Sequence, residues 1–276
     1  MWSLMHPYLP ATVRKWTNLN LSNHSFSLNT MKTKRLSEFF PGVRSYYIVG
    51  EIAIITPKRV NVDYNLVAEK IMQAHPKIKA VYLKKKVKGE LRTNELEFLS
   101  GERISSTIYK ENGVLFYVDI NKVYVNPSLS GDRLKNLELV EEGSTVLDAF
   151  TGYGAIALNI AHKKRVYVVA GDINIDGLYM LKKSLSLNKI KGMIDIVQYD
   201  AHHLPFRDKV FKLSFGDNPT LIIDFKEELC RVSENVVFYI LCESEDKANS
   251  SLGRTSWIKI NDYSKNLFIF KGLVRC

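Results

Sequence analysis

The stretch TVLDAFTGYGAIALNIA at residues 145–161 constrains this chain more than any other. A short apolar strand, Thr145 to Phe150, runs into a glycine turn, Thr151 to Gly154, and the turn opens a helix. Ile156, Leu158, Ile160 and Ala161 give that helix an apolar side to lay back on a sheet. Gly152 and Gly154 let the backbone bend sharply and approach a ligand. The N–H groups that open the helix lack internal partners and face whatever sits in the crevice.

A second apolar strand, VYVVAGD at 166–172, ends on Asp172 and is followed by Ile173. A carboxylate about 20 residues after the glycines is where doubly wound folds bind a ribose diol. That spacing fits a dinucleotide and S-adenosylmethionine alike. A dinucleotide reader usually carries a third glycine, and position 157 here is Ala. The form D-A-F-T-G-Y-G resembles the cofactor loop of class I S-adenosylmethionine-dependent methyltransferases. Asp148, Phe150, Gly152, Gly154, Asp172 and Ile173 are the cofactor candidates on these two strand ends.

With 276 residues the chain can bury an ample core in one large domain or two smaller ones. A net charge of +10 favours a polyanionic partner, nucleic acid first and an acidic membrane surface second. No run approaches the roughly 20 apolar residues that span a bilayer. The first residues, MWSLMHPYLPATVRKW, lack the continuous apolar segment of a secretory signal. Cys230, Cys242 and Cys276 are scattered without a Cys-x-x-Cys pair. This argues against a zinc site or a disulfide framework and for a reducing cytoplasm.

Residues 1–35 read as an irregular polar extension, in which Met31 is a candidate natural start. Residues 36–120 read as a small α+β domain. It has two strands broken at Gly50, a helix over 63–75 capped by Asp63, and a strand at 80–87. Further strands follow over 89–101 and 106–120, the last folded at Glu111-Asn112-Gly113. Lys77, Lys79, Lys84, Lys85, Lys86, Lys88 and Arg92 crowd one stretch of it, either a solvated face or a phosphate contact surface. Over 121–276 strands alternate with helices, which means a parallel sheet covered on both faces. WIKIN (257–261) and NLFIFKGLV (266–274) then add a terminal antiparallel hairpin. The expected class is α/β: a class I methyltransferase-like doubly wound sheet preceded by the small α+β domain.

Several stretches in order are similar to one family, the archaeal tRNA (guanine-37-N1)-methyltransferases. They are SYYIVGEIAII from Ser45, GELRTNELEFLSGE, TIYKENG, YVDINKVYVNP with SLSGDR, VLDAFTGYGAIALNIA, VVAGDIN and YSKNLFIFKGLV. The resemblance implies S-adenosylmethionine as cofactor and the anticodon loop of tRNA as substrate, with no metal and no membrane. A cytoplasmic monomer is the expected form. It implies three catalytic positions: Arg92 in GELR, Asp132 where the family pattern has Glu, and Asp217 or Asn218 in an altered Asn-Leu-Pro segment. The proline register favours Asp217, while residue type favours Asn218. Asp200 and Ala201 match the segment that meets the adenine, and Asn218 also counts among the cofactor contacts. His202 and His203 fall in the same loop and are not expected to be catalytic.

The chemistry asks for such groups. N1 of guanine is a poor nucleophile until a carboxylate within reach removes its proton. Negative charge then builds on O6, where an arginine or amide donor stabilises it. Three readings compete: methylation of N1 of guanosine 37, another modification at that position (a wyosine-pathway methyl or aminocarboxypropyl transfer), and a catalytically degenerate RNA-binding homologue.

Overall fold

The structure, a computed structural model, describes residues 43–57, 62–88 and 93–276. The proposed N-terminal extension, its candidate start Met31 and the GELR segment with Arg92 lie outside the described residues. Two compact units are present, one formed by residues up to Lys85 with Leu96–Ile104, the other by Lys86–Glu95 with Ser105–Cys276.

In the first unit β1 (Val43–Val49) and β2 (Ile52–Pro57) form the hairpin expected around Gly50, antiparallel with Val49 opposite Ile52. Helix α1 (Tyr64–Ala74) crosses over to β3 (Ala80–Lys88), which pairs parallel to β2, and β4 (Thr93–Gly101) completes the order β1-β2-β3-β4. Asp63 caps α1 as its position suggests, its carboxylate accepting from the N–H groups of Asn65 and Leu66. Val67, Ala68 and Ile71 recur at helical spacing and bury themselves against Ala53, Ile55, Val81 and Leu83.

Strands β5 (Ser106–Glu111) and β6 (Val114–Asp119) fold back at Asn112-Gly113, both with positive φ as a tight hairpin requires. Sequence pattern assigned this hairpin to the small domain, with a boundary at 120; it packs instead within the second unit. Its outer edge is satisfied there. The Leu115 N–H donates to Asn188 Oδ1 at 2.9 Å and the Tyr117 N–H to Ser184 Oγ at 2.9 Å. An edge strand with its polar groups paired to a helix no longer attracts another strand.

The second unit is built on a seven-stranded sheet in the order β12-β13-β11-β10-β7-β8-β9. Its members are β7 (Thr145–Asp148), β8 (Tyr167–Asp172), β9 (Met193–Gln198), β10 (Phe211–Gly216), β11 (Ser233–Cys242), β12 (Ile258–Ser264) and β13 (Leu267–Arg275). Five strands, β11, β10, β7, β8 and β9, run parallel, and β13 lies antiparallel between β11 and β12. Helices α2 (Ser130–Lys135), α3 (Ala155–Lys163), α4 (Ile175–Ser186), α5 (Lys226–Val232) and α6 (Glu245–Leu252) connect the strands. The doubly wound sheet with its terminal antiparallel hairpin is the expected class. Phe211, Phe238, Leu229 and Trp257 are among the buried side chains that fill one face.

Three local details differ from the pattern-based reading. Strand β7 stops at Asp148, because Ala149 and Phe150 already belong to the turn. Helix α6 has no counterpart in the periodicity, since ESEDKANSSL is mostly polar, although Ser244 caps it through the Lys247 N–H. Cys230 and Cys276, expected to be unpaired, form a disulfide with Cα atoms 5.2 Å apart. The antiparallel register that sets Asn235 opposite Arg275 delivers the chain end to the start of β11, just past α5. Sequence spacing carries no trace of a pair made by sheet register.

Candidate functional site

Where the parallel strands of the second unit end, a cleft of about 370 Å³ opens. Phe150, Gly152, Asp172, Ile173, Asp200, Ala201, Asp217 and Asn218 line it, so eight expected residues from separate loops share one wall. Asp148, Gly154 and Asp132 stand off that wall.

The glycine turn is built by close approach. Gly154 has φ +89° at the N-cap of α3, and a Cβ there would stand 2.3 Å from Leu181 Cδ1. A Cβ on Gly177 would stand 2.8 Å from the Gly152 carbonyl oxygen, so α4 packs directly against the turn. The Gly152 N–H donates to Asp172 Oδ2 at 2.7 Å and the Asn174 N–H to Oδ1 at 2.8 Å. Turn and acidic strand end thereby hold each other, while each carboxylate oxygen keeps a lone pair for a ligand hydroxyl. Burial pushes the Asp172 carboxyl above its ordinary range, and the N–H groups of Asn174, Gly152 and Ile173 oppose that shift.

Asp148 lies beneath the turn, only 1% exposed. Its Oδ2 accepts from the Thr151 hydroxyl at 2.8 Å and the Ala157 N–H at 2.9 Å, while Oδ1 has no protein partner. One of the opening N–H groups of α3 is therefore taken from below rather than offered to the crevice. Burial pushes Asp148 up to about 7; Thr151 and Ala157 work against this, and Asp217 and Asp172 add to it. Asp172, Asp200, Asp217 and Asp224 line the cleft itself. Its arginine, Arg133, is consumed in a buried bidentate pair with Glu111 at 2.7 and 2.6 Å. Such a floor repels a pyrophosphate and suits a cationic ligand with hydroxyls.

Asp200 Oδ1 accepts from the backbone N–H of His202 and meets its ring Nδ1 at 2.7 Å, and these contacts hold the carboxyl below its usual range. The His202 ring lies 4.5 Å from Phe225, which meets Phe150 edge-on at 4.9 Å. The histidine is thus part of an aromatic flank. Asn218 is 8% exposed, its Oδ1 3.4 Å from the Thr220 hydroxyl.

Asp132 sits in the first turn of α2, whose N-cap is Leu129 without a side-chain bond, so capping does not explain it. Its Oδ2 accepts from the Tyr239 hydroxyl at 2.7 Å, and its Oδ1 pairs with the Lys271 ammonium. Asn136 completes the group, donating to the Tyr239 hydroxyl at 2.8 Å and accepting from Lys271 at 3.1 Å. Tyr239 lines the cleft. Sequence reasoning passed over Tyr239, Lys271, Arg133 and Glu111; Tyr239 and Lys271 stand as polar groups inside otherwise apolar stretches of β11 and β13, whereas Arg133 in α2 and Glu111 at the end of β5 have polar neighbours and give no such signal.

The basic stretch of the first unit is partly neutralised. Lys79 pairs with Glu51 at 2.9 Å, and Lys85 pairs with Glu97. Among the described residues, no helix is long and apolar enough to cross a membrane and no group of three His, Cys, Asp or Glu gathers for a metal.

The raised Asp148 has a consequence for stability. The folded chain holds its proton up to about pH 7, whereas the unfolded chain releases it near pH 4. Stability attributable to this group therefore falls as pH rises between those values. Asp148→Asn keeps the shape and removes the buried charge. It should raise stability at pH 8 by roughly 2 kcal/mol and leave stability at pH 4 nearly unchanged. Denaturant midpoints at the two pH values measure it; an equal shift at both would contradict the assignment.

Comparison with known proteins agrees with this architecture. Residues 107–241 match the model of the TRM5/TYW2 methyltransferase domain, and residues 33–104 that of the TYW2 N-terminal domain. The tRNA (guanine(37)-N(1))-methyltransferase Trm5b of Pyrococcus abyssi is 36% identical over 166 residues, 59% of this chain and 49% of that protein. Trm5b of Methanocaldococcus jannaschii is 30% identical over 210 residues, 74% of this chain and 61% of that protein. The chain thus spans 49% and 61% of the length of these two relatives. Among solved structures, a complex of aTrm5 and tRNALeu superposes with a TM-score of 0.76 at 25% identity, covering 92% of this chain and 83% of that one.

Proposed function

We propose that this chain, which belongs to the TRM5/TYW2 methyltransferase family, methylates N1 of guanosine 37 in tRNA with S-adenosylmethionine. The observation that carries this reading is the acid-floored cleft at the strand ends, in which the Gly152 turn is bonded to Asp172. The carboxylates of Asp172, Asp200, Asp217 and Asp224 that line the cleft fit a ligand bearing sulfonium and ammonium charge. When bound, the cofactor supplies an electrophilic methyl group. Asp172 would hold the ribose hydroxyls, and Ile173, Asp200 and Ala201 would hold the adenine end. Asp132 receives the N1 proton, Arg92 stabilises charge on O6, and Asp217 and Asn218 position the base. The target nucleotide leaves the anticodon-loop stack to reach them. A tRNA substrate is compatible with the cytoplasmic location that goes with this reading.

Labelled cofactor and unmodified tRNA, followed by digestion to nucleosides, test the reading. 1-Methylguanosine at position 37 is expected; label carried on the aminocarboxypropyl carbons, or no transfer by a protein that binds the cofactor, would overturn it. Affinity for tRNA should fall roughly 10²-fold or more between 50 and 200 mM salt, because phosphate contacts release counterions. Filter binding across that range measures the slope.

A further inference from the structure

The expected base does not stand on the cleft wall. Asp132 is covered by Tyr239, which does line the cleft, and the tyrosine hydroxyl is 2.7 Å from Asp132 Oδ2. Sheet register explains the arrangement. Gly216 pairs with Phe238, so Asp217 stands level with Tyr239, and Tyr239 is itself the direct partner of Lys271. Asp217, Tyr239 and Lys271 therefore form one row across β10, β11 and β13, at the end of the sheet where the cleft opens. Asp132 and Asn136 of the α2 segment lie over that row. Every group that faces Tyr239 is accounted for: Asp132 and Asn136 from above, Lys271 from β13 and Asp217 from the end of β10.

We propose that Tyr239 is a catalytic residue of this site, a proton conduit through which a purine N–H in the cleft reaches Asp132. The inference rests on the methyltransferase reading above. The phenol oxygen accepts one bond from the Asn136 amide and gives its own proton to Asp132, which leaves one lone pair open. As the N1–H bond breaks, its proton moves to the Tyr239 oxygen and the Tyr239 proton moves to Asp132 Oδ2. The electron pair stays on N1, the tyrosine ends neutral as it began, and Asp132 ends protonated. Lys271 holds the other carboxylate oxygen and fixes its orientation. Burial, and then Asp132 and Asp217, push the phenol well above its ordinary value, so it always carries a proton to pass on.

Two variants test the conduit. Tyr239→Phe should lower single-turnover transfer by about 10²-fold or more while KM for tRNA and calorimetric affinity for the cofactor stay within about threefold. Loss of cofactor affinity alongside the rate would show only a packing role and overturn the proposal. The second replaces Tyr239 with a fluorinated tyrosine, which keeps each hydrogen bond and lowers the phenol pKa. It should keep transfer within about tenfold of wild type; a fluorinated-tyrosine rate as low as that of Tyr239→Phe, or a Tyr239→Phe rate within about threefold of wild type, rejects the conduit. A wild-type protein that transfers nothing defeats the methyltransferase reading itself, and the conduit with it. An active wild type with an active Tyr239→Phe defeats the conduit alone.

Discussion

Asp132→Asn should slow transfer by roughly 10²–10⁴-fold while cofactor affinity stays within about threefold, the range expected when a positioned base is removed. The asparagine keeps the shape, and its oxygen still accepts the Tyr239 hydroxyl. What it lacks is a site for a proton. Lys271 keeps Asn136 as an acceptor at 3.1 Å, so the variant should fold. Single-turnover rates with saturating tRNA, alongside calorimetry with the cofactor, measure the split. A variant as fast as wild type would remove Asp132 from the chemistry.

Glu111→Gln should be the most destabilising single change among those considered, by about 3–5 kcal/mol, because it leaves the Arg133 guanidinium buried without its counter-charge. The side chains of Arg133 and Glu111 are 7% and 3% exposed. Arg133 also donates to the Asn126 carbonyl at 2.9 Å, and Asn159 donates to Glu111 at 3.2 Å. The pair therefore fastens the loop from Asn126 to Arg133 onto β5 and α3, and Asp132 is the neighbour of the anchored arginine. With total stabilities of roughly 5–15 kcal/mol, the loss is a large fraction. A denaturant midpoint shift corresponding to less than about 1 kcal/mol would mean the pair is not holding the loop.

The glycine-turn side of the candidate site was legible because its signals are local. Gly152, Gly154 and Asp172 announce a turn and a strand end within one strand–turn–helix–strand unit, and the fold then obliges them to meet. The side around Asp132 was legible only in part. Asp132 could be named, but Lys271 lies 139 residues away and Tyr239 lies 107 away, so nothing near Asp132 reveals their company. The β5–β6 hairpin shows the same limit. Its alternating pattern marks one face for burial without saying which body covers the other; Ser184 and Asn188 decide that. The disulfide escaped for a related reason, being a product of register between β11 and β13. The altered segment at Asp217-Asn218-Pro219 was read in two ways, and both residues reach the cleft wall.

Lys271 belongs to the strand slotted between β11 and β12, and it is the last of the site's groups to leave the ribosome. Until that strand inserts, β11 presents a bare edge and Asp132 faces no ammonium. Insertion of that strand thus does two things at once: it closes the edge of β11 and sets an ammonium against Asp132.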